Sequence, residues 1–170
     1  YTIDEGRYIH ARYVEELAEY FSAPREEMVR KLANYNELLL SEWKEMVPDP
    51  RDEGAIRRFY RENTGYIFDL MRWHYSTRSP DGEPDESLNL DETKQALLQH
   101  CLSQGERIRK VVDYGCGVAA YALLIADFGF DITLAEVPGR VFDFALWRTK
   151  RYGYHFRTVE INCDEPLEET

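Results

Sequence analysis

Asp113, Gly115 and Gly117 are the residues whose types and spacing come nearest to a recognisable chemistry. Asp113 ends an apolar, β-branched run, and the two glycines allow a tight turn that a ligand can approach, because they lack Cβ atoms. An apolar helical pattern begins at Val118. The N-terminus of that helix would offer N–H groups and a partial positive charge to a carboxylate or a phosphate. The segment therefore predicts a strand–turn–helix that binds a nucleotide-like ligand.

Glu136 adds a second acid at the end of the next predicted strand, about 20 residues beyond Gly117. An acid at this place lies beside the first turn and can accept hydrogen bonds from ribose hydroxyls, which predicts an adenosine-containing cofactor. The spacing of Gly115, Gly117 and Ala120 also matches the looser form of the dinucleotide pattern. However, Asp113 would repel the pyrophosphate of a dinucleotide. S-adenosylmethionine carries a positive ammonium group and a positive sulfonium group. The negative charges of Asp113 and Glu136 would therefore favour its binding over that of a dinucleotide.

Three segments resemble the motifs of class I S-adenosylmethionine-dependent methyltransferases. Residues 112–117 are similar to the first motif, in which an acid precedes x-G-x-G. Residues 126–136 resemble the second motif, and residues 161–164 the third. The resemblance covers about residues 109–168 and implies a Rossmann-like fold that binds S-adenosyl-L-methionine.

The resemblance implies a role for the residues of the turn. Gly115 and Gly117 would contact the methionine part of the cofactor, and Asp113 would help to hold its amino group. An alternative for Asp113 is a cap of the turn. Cys116 lies in the same cofactor-binding turn, where a helix N-terminus can lower a thiol pKa and create a nucleophile. The sequence places no His or acid partner beside Cys116, which favours a small space-filling residue.

The resemblance also implies contacts beyond the second strand. Glu136 would bind the ribose hydroxyls, Val137 would lie against the adenine, and Asp164 would lie near the adenine amino group. Simple solvation is the alternative for both acids. Ala119 departs from the family, which usually has a third glycine there, and its methyl group would narrow the turn. No catalytic residue is assigned, and the four histidines show no metal-type spacing.

Hydrophobic periodicity divides the chain into an α-helical region, 1–104, and the first half of a cofactor-binding domain, 105–170. The predicted fold class is α/β, with a Rossmann-like parallel sheet of strand order 3-2-1, apparently incomplete, preceded by the α-helical region. Helices are expected at about 8–21, 25–46, 53–75, 92–103, 118–128 and 138–152. Strands are expected at 108–113, 131–136 and 155–161. The turn-rich stretch at about 77–90 is the predicted loop.

Composition limits the partners. The chain has 170 residues and a net charge of −11, so an acidic surface makes a nucleic-acid interface unlikely. The three cysteines show no metal-type spacing and favour a reducing compartment, and no apolar run reaches membrane-spanning length. We therefore expect a cytoplasmic protein without a membrane partner.

Three aromatic residues at helical spacing fit either a lid over the ligand or, more commonly, a packed core: Tyr60, Tyr66 and Trp73.

The family's sheet normally has seven strands, and this chain matches three of them. The strand at 108–113 would then lie at an edge, with unpaired backbone groups. We expect a fragment, which would pair with the missing half of the fold or form a homo-oligomer, and which could be inactive alone. The predicted function is the cofactor-binding portion of a methyltransferase, with a small molecule as the expected methyl acceptor. The alternatives are a NAD-type oxidoreductase domain and a non-catalytic interaction module with a degenerate cofactor fold.

Overall fold

The computed structural model describes residues 2–3, 7–8, 11–75, 92–105 and 109–162. In these ranges the chain forms an α/β fold that combines several helices with a three-stranded parallel sheet. The predicted loop at about 77–90 lies outside the described residues.

The helices and strands follow one another along the chain in an order that separates a helical part from an alternating part. The helices are α1 Ala11–Phe21, α2 Arg25–Ala33, α3 Tyr35–Met46, α4 Glu53–Glu62, α5 Gly65–Tyr75, α6 Glu92–Ser103, α7 Ala120–Ile125 and α8 Arg140–Arg151. The strands are β1 Thr2–Ile3, β2 Arg7–Tyr8, β3 Lys110–Tyr114, β4 Asp131–Glu136 and β5 Arg157–Glu160. A 3₁₀ turn, Ala126–Phe128, ends α7.

The predictions of single helices at 25–46 and 53–75 were wrong. Each range forms two helices, and an asparagine lies at each break. Asn34 separates α2 from α3, and its side chain donates a hydrogen bond to the carbonyl of Arg30 at 2.9 Å. Asn63 ends α4 by donating to the carbonyl of Phe59 at 3.1 Å, and its Oδ1 accepts from the N–H of Tyr66 at 2.8 Å. Asparagine side chains compete in this way with the backbone bonds of a helix.

Three helix starts also differ from the prediction, and one of them is α8, which was expected from 138 and begins at Arg140. The first helix begins at Ala11, because Tyr8 belongs to β2, which pairs antiparallel with β1. The helix that was expected from Val118 begins at Ala120, because Ala119 has a left-handed backbone and is the N-cap of α7. Periodicity alone did not show these limits, since side-chain polarity does not report a change of backbone conformation.

Glu42 of α3 caps the N-terminus of α5. Its Oε2 accepts hydrogen bonds from the N–H of Gly65 at 2.8 Å and of Thr64 at 3.2 Å. A carboxylate is favourable there because the first N–H groups of a helix have no partner within the helix. A Cβ at Gly65 would lie 3.1 Å from Leu39 Cα, so α3 and α5 pack closely at this point. The cap and this close packing together fix the N-terminus of α5 against α3.

The parallel sheet has the hydrogen-bonded order β3-β4-β5. This is order 1-2-3 along the chain, and the predicted 3-2-1 is the same order counted from the opposite edge. The registers place Asp113 opposite Leu134 and Glu136 opposite Glu160. Within the described residues β3 pairs only with β4, so it lies at an edge, where Val112 and Tyr114 are each 60% exposed.

Two hydrophobic clusters meet at the glycine turn. The largest cluster joins buried residues of α1, α2, α5, α7 and α8 to the turn that follows β3; its members include Leu17, Met28, Phe68, Val118 and Phe144. A second cluster lies between the sheet and the helices α7 and α8; it includes Cys116, Ala122, Ile132, Leu134 and Phe142. The glycine turn therefore lies between the two clusters. None of the helices in the described ranges is both long and apolar enough to span a membrane.

Candidate functional site

The turn between β3 and α7 is built from alternating left-handed residues. Gly115 has φ +67°, Gly117 has φ +53° and Ala119 has φ +56°. The N–H groups of Gly115 and Cys116 both donate to the carbonyl of Ala135, at 2.8 and 3.2 Å, which attaches the turn to the end of β4. Glycine adopts this conformation without a steric penalty, whereas the methyl group of Ala119 makes it costly. Ala119 is thus a strained position in the turn.

Glu136 lies against this turn. Its Oε2 accepts a hydrogen bond from the N–H of Gly117 at 2.8 Å, and its Oε1 accepts from the N–H of Val137 at 2.8 Å. The structure therefore brings together the second acid and the second glycine, which are separated by a strand and a helix in the sequence. Each carboxylate oxygen has two lone pairs, so these bonds leave acceptor capacity for a ligand hydroxyl.

Asp113 lies at the same end of the sheet. Its Oδ2 accepts a hydrogen bond from the N–H of Ala122 in the first turn of α7, at 3.2 Å. Burial raises the pKa of Asp113, the hydrogen bond from Ala122 opposes this, and the charge of Glu136 adds to the rise. The two acids are thus close enough to influence each other. An ionised pair here makes the turn favourable for a positive ligand group.

Cys116 is 6% exposed and packs in the cluster between the sheet and its helices. Burial raises the pKa of its thiol strongly, and the charges of Asp113 and Glu136 raise it further. A thiolate is the nucleophilic form of cysteine, and these surroundings disfavour it. The environment of Cys116 therefore suits a space-filling residue better than a nucleophile.

Helix α5 lies over the turn. A Cβ at Gly117 would come within 3.2 Å of Leu70 Cδ1, so the Leu70 side chain covers this glycine. Tyr66 lies one helical turn before Leu70, and its pKa is raised by burial first and then by the charges of Asp69 and Glu136. Burial also raises the pKa of Asp69. Tyr66 is thus within electrostatic reach of both Asp69 and Glu136.

Sequence reasoning missed Leu70 as a residue of the site. Its spacing from Tyr66, at i+4, does place the two side chains on one side of a helix. That spacing gave no information about what the helix would cover. Leu70 and Gly117 are far apart in the sequence, so their contact appears only in the tertiary structure.

A groove of about 320 Å³ lies between α4 and the ends of β4 and β5, where Val137, the residue after Glu136, is one of its lining residues. Val137, the predicted adenine contact, lines it together with Tyr60 of α4, which is half exposed. The remaining lining residues are Arg57, Arg61, Pro138, Glu160, Ile161 and Asn162. Tyr60 therefore faces a cavity that is open to a ligand, while Tyr66 is partly buried against the large hydrophobic cluster.

Two expectations concern residues that the structure does not describe. Asp164, the predicted contact of the adenine amino group, lies outside the described residues, although Ile161 and Asn162 just before it line the groove. The side chain of Trp73 is also outside the described part. Within the described ranges no group of histidines, cysteines and acids is arranged to hold a metal ion.

Comparison of the chain with protein families, with curated proteins and with solved structures found no significant match.

Proposed function

We propose that the chain is the cofactor-binding portion of an S-adenosylmethionine-dependent methyltransferase with a Rossmann-like sheet. The observation that carries this proposal is the convergence of Asp113, Gly117 and Glu136 at the carboxyl ends of two adjacent parallel strands. Ligands of open α/β sheets bind at the carboxyl ends of their strands. The 2.8 Å bond between Glu136 and Gly117 supports a single site at that end.

The charge of the site supports a cationic cofactor. Asp113 and Glu136 lie at the carboxyl ends of the neighbouring strands β3 and β4. Two carboxyl groups beside one turn would raise the energy of a bound pyrophosphate and lower that of a bound ammonium or sulfonium. S-adenosylmethionine carries both cationic groups, whereas NAD carries two negative phosphates.

The described residues fit this cofactor part by part. No atom lies within 4 Å of a Cβ built on Gly115, so the backbone there can be approached, and Gly115 and Gly117 would hold the methionine part. Asp113 would hold the amino group, and Glu136 would bind the ribose hydroxyls with its remaining lone pairs. Val137 would lie against the adenine in the groove of about 320 Å³. When bound, the cofactor supplies an electrophilic methyl group.

The N-terminal helices would enclose the site and shape the place for the methyl acceptor. Leu70 lies over Gly117, and Tyr60 forms one wall of the groove. Such cover excludes water and limits the directions from which an acceptor reaches the methyl group. Methyl transfer depends mainly on in-line placement of the two reacting atoms. We assign no general base, and propose a small molecule as the acceptor because the acidic chain disfavours nucleic acid.

Titration calorimetry with S-adenosylhomocysteine and with NAD tests the proposal. We expect S-adenosylhomocysteine to bind and NAD to bind much more weakly. Glu136→Ala should weaken the binding about tenfold or more, because it removes the acceptor for the ribose hydroxyls and the anchor of the turn. Glu45→Ala, at an exposed acid on α3, is the matched control and should bind like the wild type.

Two results would contradict the proposal. Tight binding of NAD alone would assign the site to a dinucleotide and support an oxidoreductase domain. Failure of the wild type to bind either cofactor would support an interaction module that keeps a degenerate cofactor fold.

A further inference from the structure

Arg148 of helix α8 is buried and joins two distant parts of the chain. Its Nε donates a hydrogen bond to Glu16 Oε2 of α1 at 2.6 Å, and its Nη1 donates to the carbonyl oxygen of Val118 at 2.9 Å. The side chains of Arg148 and Glu16 are 3% and 0% exposed. A single guanidinium group therefore connects the first helix to the glycine turn.

The carboxylate of Glu16 is held on its other oxygen as well. The hydroxyl of Tyr152 donates a hydrogen bond to Glu16 Oε1 and accepts one from Arg12 Nε at 2.7 Å. Arg12 Nε also lies 3.5 Å from Glu16 Oε1. Because both oxygens are engaged, the Glu16 carboxylate has a fixed orientation and can orient Arg148 in turn.

The turn has a second anchor at Gly117. The N–H of Gly117 is bound to Glu136 from the sheet, while the carbonyl of the next residue, Val118, is bound to Arg148 from the helices. Ala119 follows with its left-handed backbone. Such a backbone persists only where surrounding contacts fix it. The two anchors supply those contacts on either side of the Gly117–Val118 segment.

A buried ion pair by itself contributes little to the stability of a folded protein. The cost of removing two charges from water often equals their attraction, and apolar residues of the same size commonly stabilise a core as well. What a guanidinium adds is direction, because its planar fork holds two acceptors at fixed angles. The ammonium group of a lysine, at the end of a flexible chain, offers no such fork. The geometry at Arg148 therefore suits positioning better than stabilisation.

We propose that Glu16 and Arg148 are positioning residues, which hold the turn at 115–119 in its binding conformation through the carbonyl of Val118. The inference rests on the proposed function of this turn in cofactor binding. In this proposal α1 contributes to cofactor affinity without contacting the cofactor, because Glu16 acts through Arg148 on the backbone of the turn. This effect is separate from the covering of the site by α5.

The test replaces Arg148 by lysine, which keeps a positive charge but lacks the planar fork that holds two acceptors at fixed angles. Arg151→Lys is the matched control, because Arg151 joins the same two helices at the surface through an ion pair with Glu19, at 2.8 Å, that does not involve the turn. Three quantities are measured: the free energy of unfolding, the affinity for S-adenosylhomocysteine, and the amide exchange rates of Gly117 and Ala119. We expect Arg148→Lys to lower the affinity about tenfold and to speed both exchange rates. We expect Arg151→Lys to leave the affinity and both exchange rates unchanged.

The inference is overturned if folded Arg148→Lys binds like the wild type with unchanged exchange at Gly117 and Ala119. It is also overturned if exchange rises equally throughout the chain, as a purely structural role predicts. Should Arg148→Lys fail to fold, Glu16→Gln, which keeps the shape of the side chain, decides by the same comparison. If the wild type binds no S-adenosylhomocysteine, the proposed function fails, and amide exchange in the ligand-free protein still decides the positioning role.

Discussion

A Cβ atom at Gly139 would lie 2.6 Å from the carbonyl oxygen of Arg61. The last turn of α4 therefore lies directly on the loop between β4 and α8, with no room for a side chain between them. This contact holds α4 beside the end of the sheet, where Tyr60 and Arg61 line the groove next to Glu136. One glycine thus determines how closely the helical part approaches the candidate site.

We expect Gly139→Ala to lower the free energy of unfolding by about 1–3 kcal/mol, because the opposing atoms belong to backbone and cannot rotate away. Urea unfolding measures the change. Gly54→Ala is the control, since the nearest atom there is a side-chain oxygen of Asp52 at 3.2 Å and the site is exposed. The control should be neutral or more stable by up to about 1 kcal/mol. Equal losses in both variants would refute close packing at Gly139.

Ala119 provides a test of backbone strain. Ala119→Gly should remove a cost of about 1–2 kcal/mol for the left-handed backbone, but also a buried methyl group worth about 0.8 kcal/mol. The net change in the free energy of unfolding should therefore stay within about 1 kcal/mol. Ala119→Val should lose more than about 2 kcal/mol, because a β-branched residue fits neither the left-handed conformation nor the fully buried site. Similar unfolding midpoints for the two variants would contradict this account.

The raised pKa of Asp113 predicts a pH-dependent stability. Burial, with the charge of Glu136, raises this pKa in the folded protein. The folded state then binds the proton more tightly than the unfolded chain. The stability contributed by Asp113 is therefore fully present below the unfolded pKa and is lost as the pH rises through the folded pKa.

Asp113→Asn should accordingly unfold at higher urea concentration than the wild type at pH 7, and the difference should disappear as the pH falls to about 4 and below. The same variant should bind S-adenosylhomocysteine more weakly, because a neutral amide no longer attracts the amino group. A stability difference that grows toward acid pH would show that the sign of the pKa shift is wrong.

Cys116 should react slowly with thiol reagents. Its thiol pKa is raised and its side chain is buried, whereas Cys101 of α6 is partly exposed. We expect iodoacetamide to alkylate Cys116 at least about tenfold more slowly than Cys101 at neutral pH, as followed by mass spectrometry of the modified peptides. In denaturant the two rates should become similar. Faster alkylation of Cys116 in the folded protein would reopen its role as a nucleophile.

Local patterns were sufficient for the order of strands and helices in the alternating part of the fold. The bounds of β4 agree with the prediction, since a short apolar run between two turn signals needs no distant information. The continuity of the helices was not predictable in the same way. Asn34 and Asn63 are compatible with a helix by polarity, and whether their side chains bond to the backbone depends on the neighbouring packing.

The sequence by itself determined the order of strand, glycine turn, helix and strand, with an acid at the end of each strand. That information is local, because it depends on residue types at short spacings. The tertiary structure alone decided that Leu70 covers Gly117 and that Arg148 reaches both Glu16 and Val118. These partners are far apart along the chain, and only the shared hydrophobic core brings their helices together. The residue types that give the turn its chemical character can thus be read from the sequence. The helix that covers the turn and the side chains that hold it depend on tertiary packing.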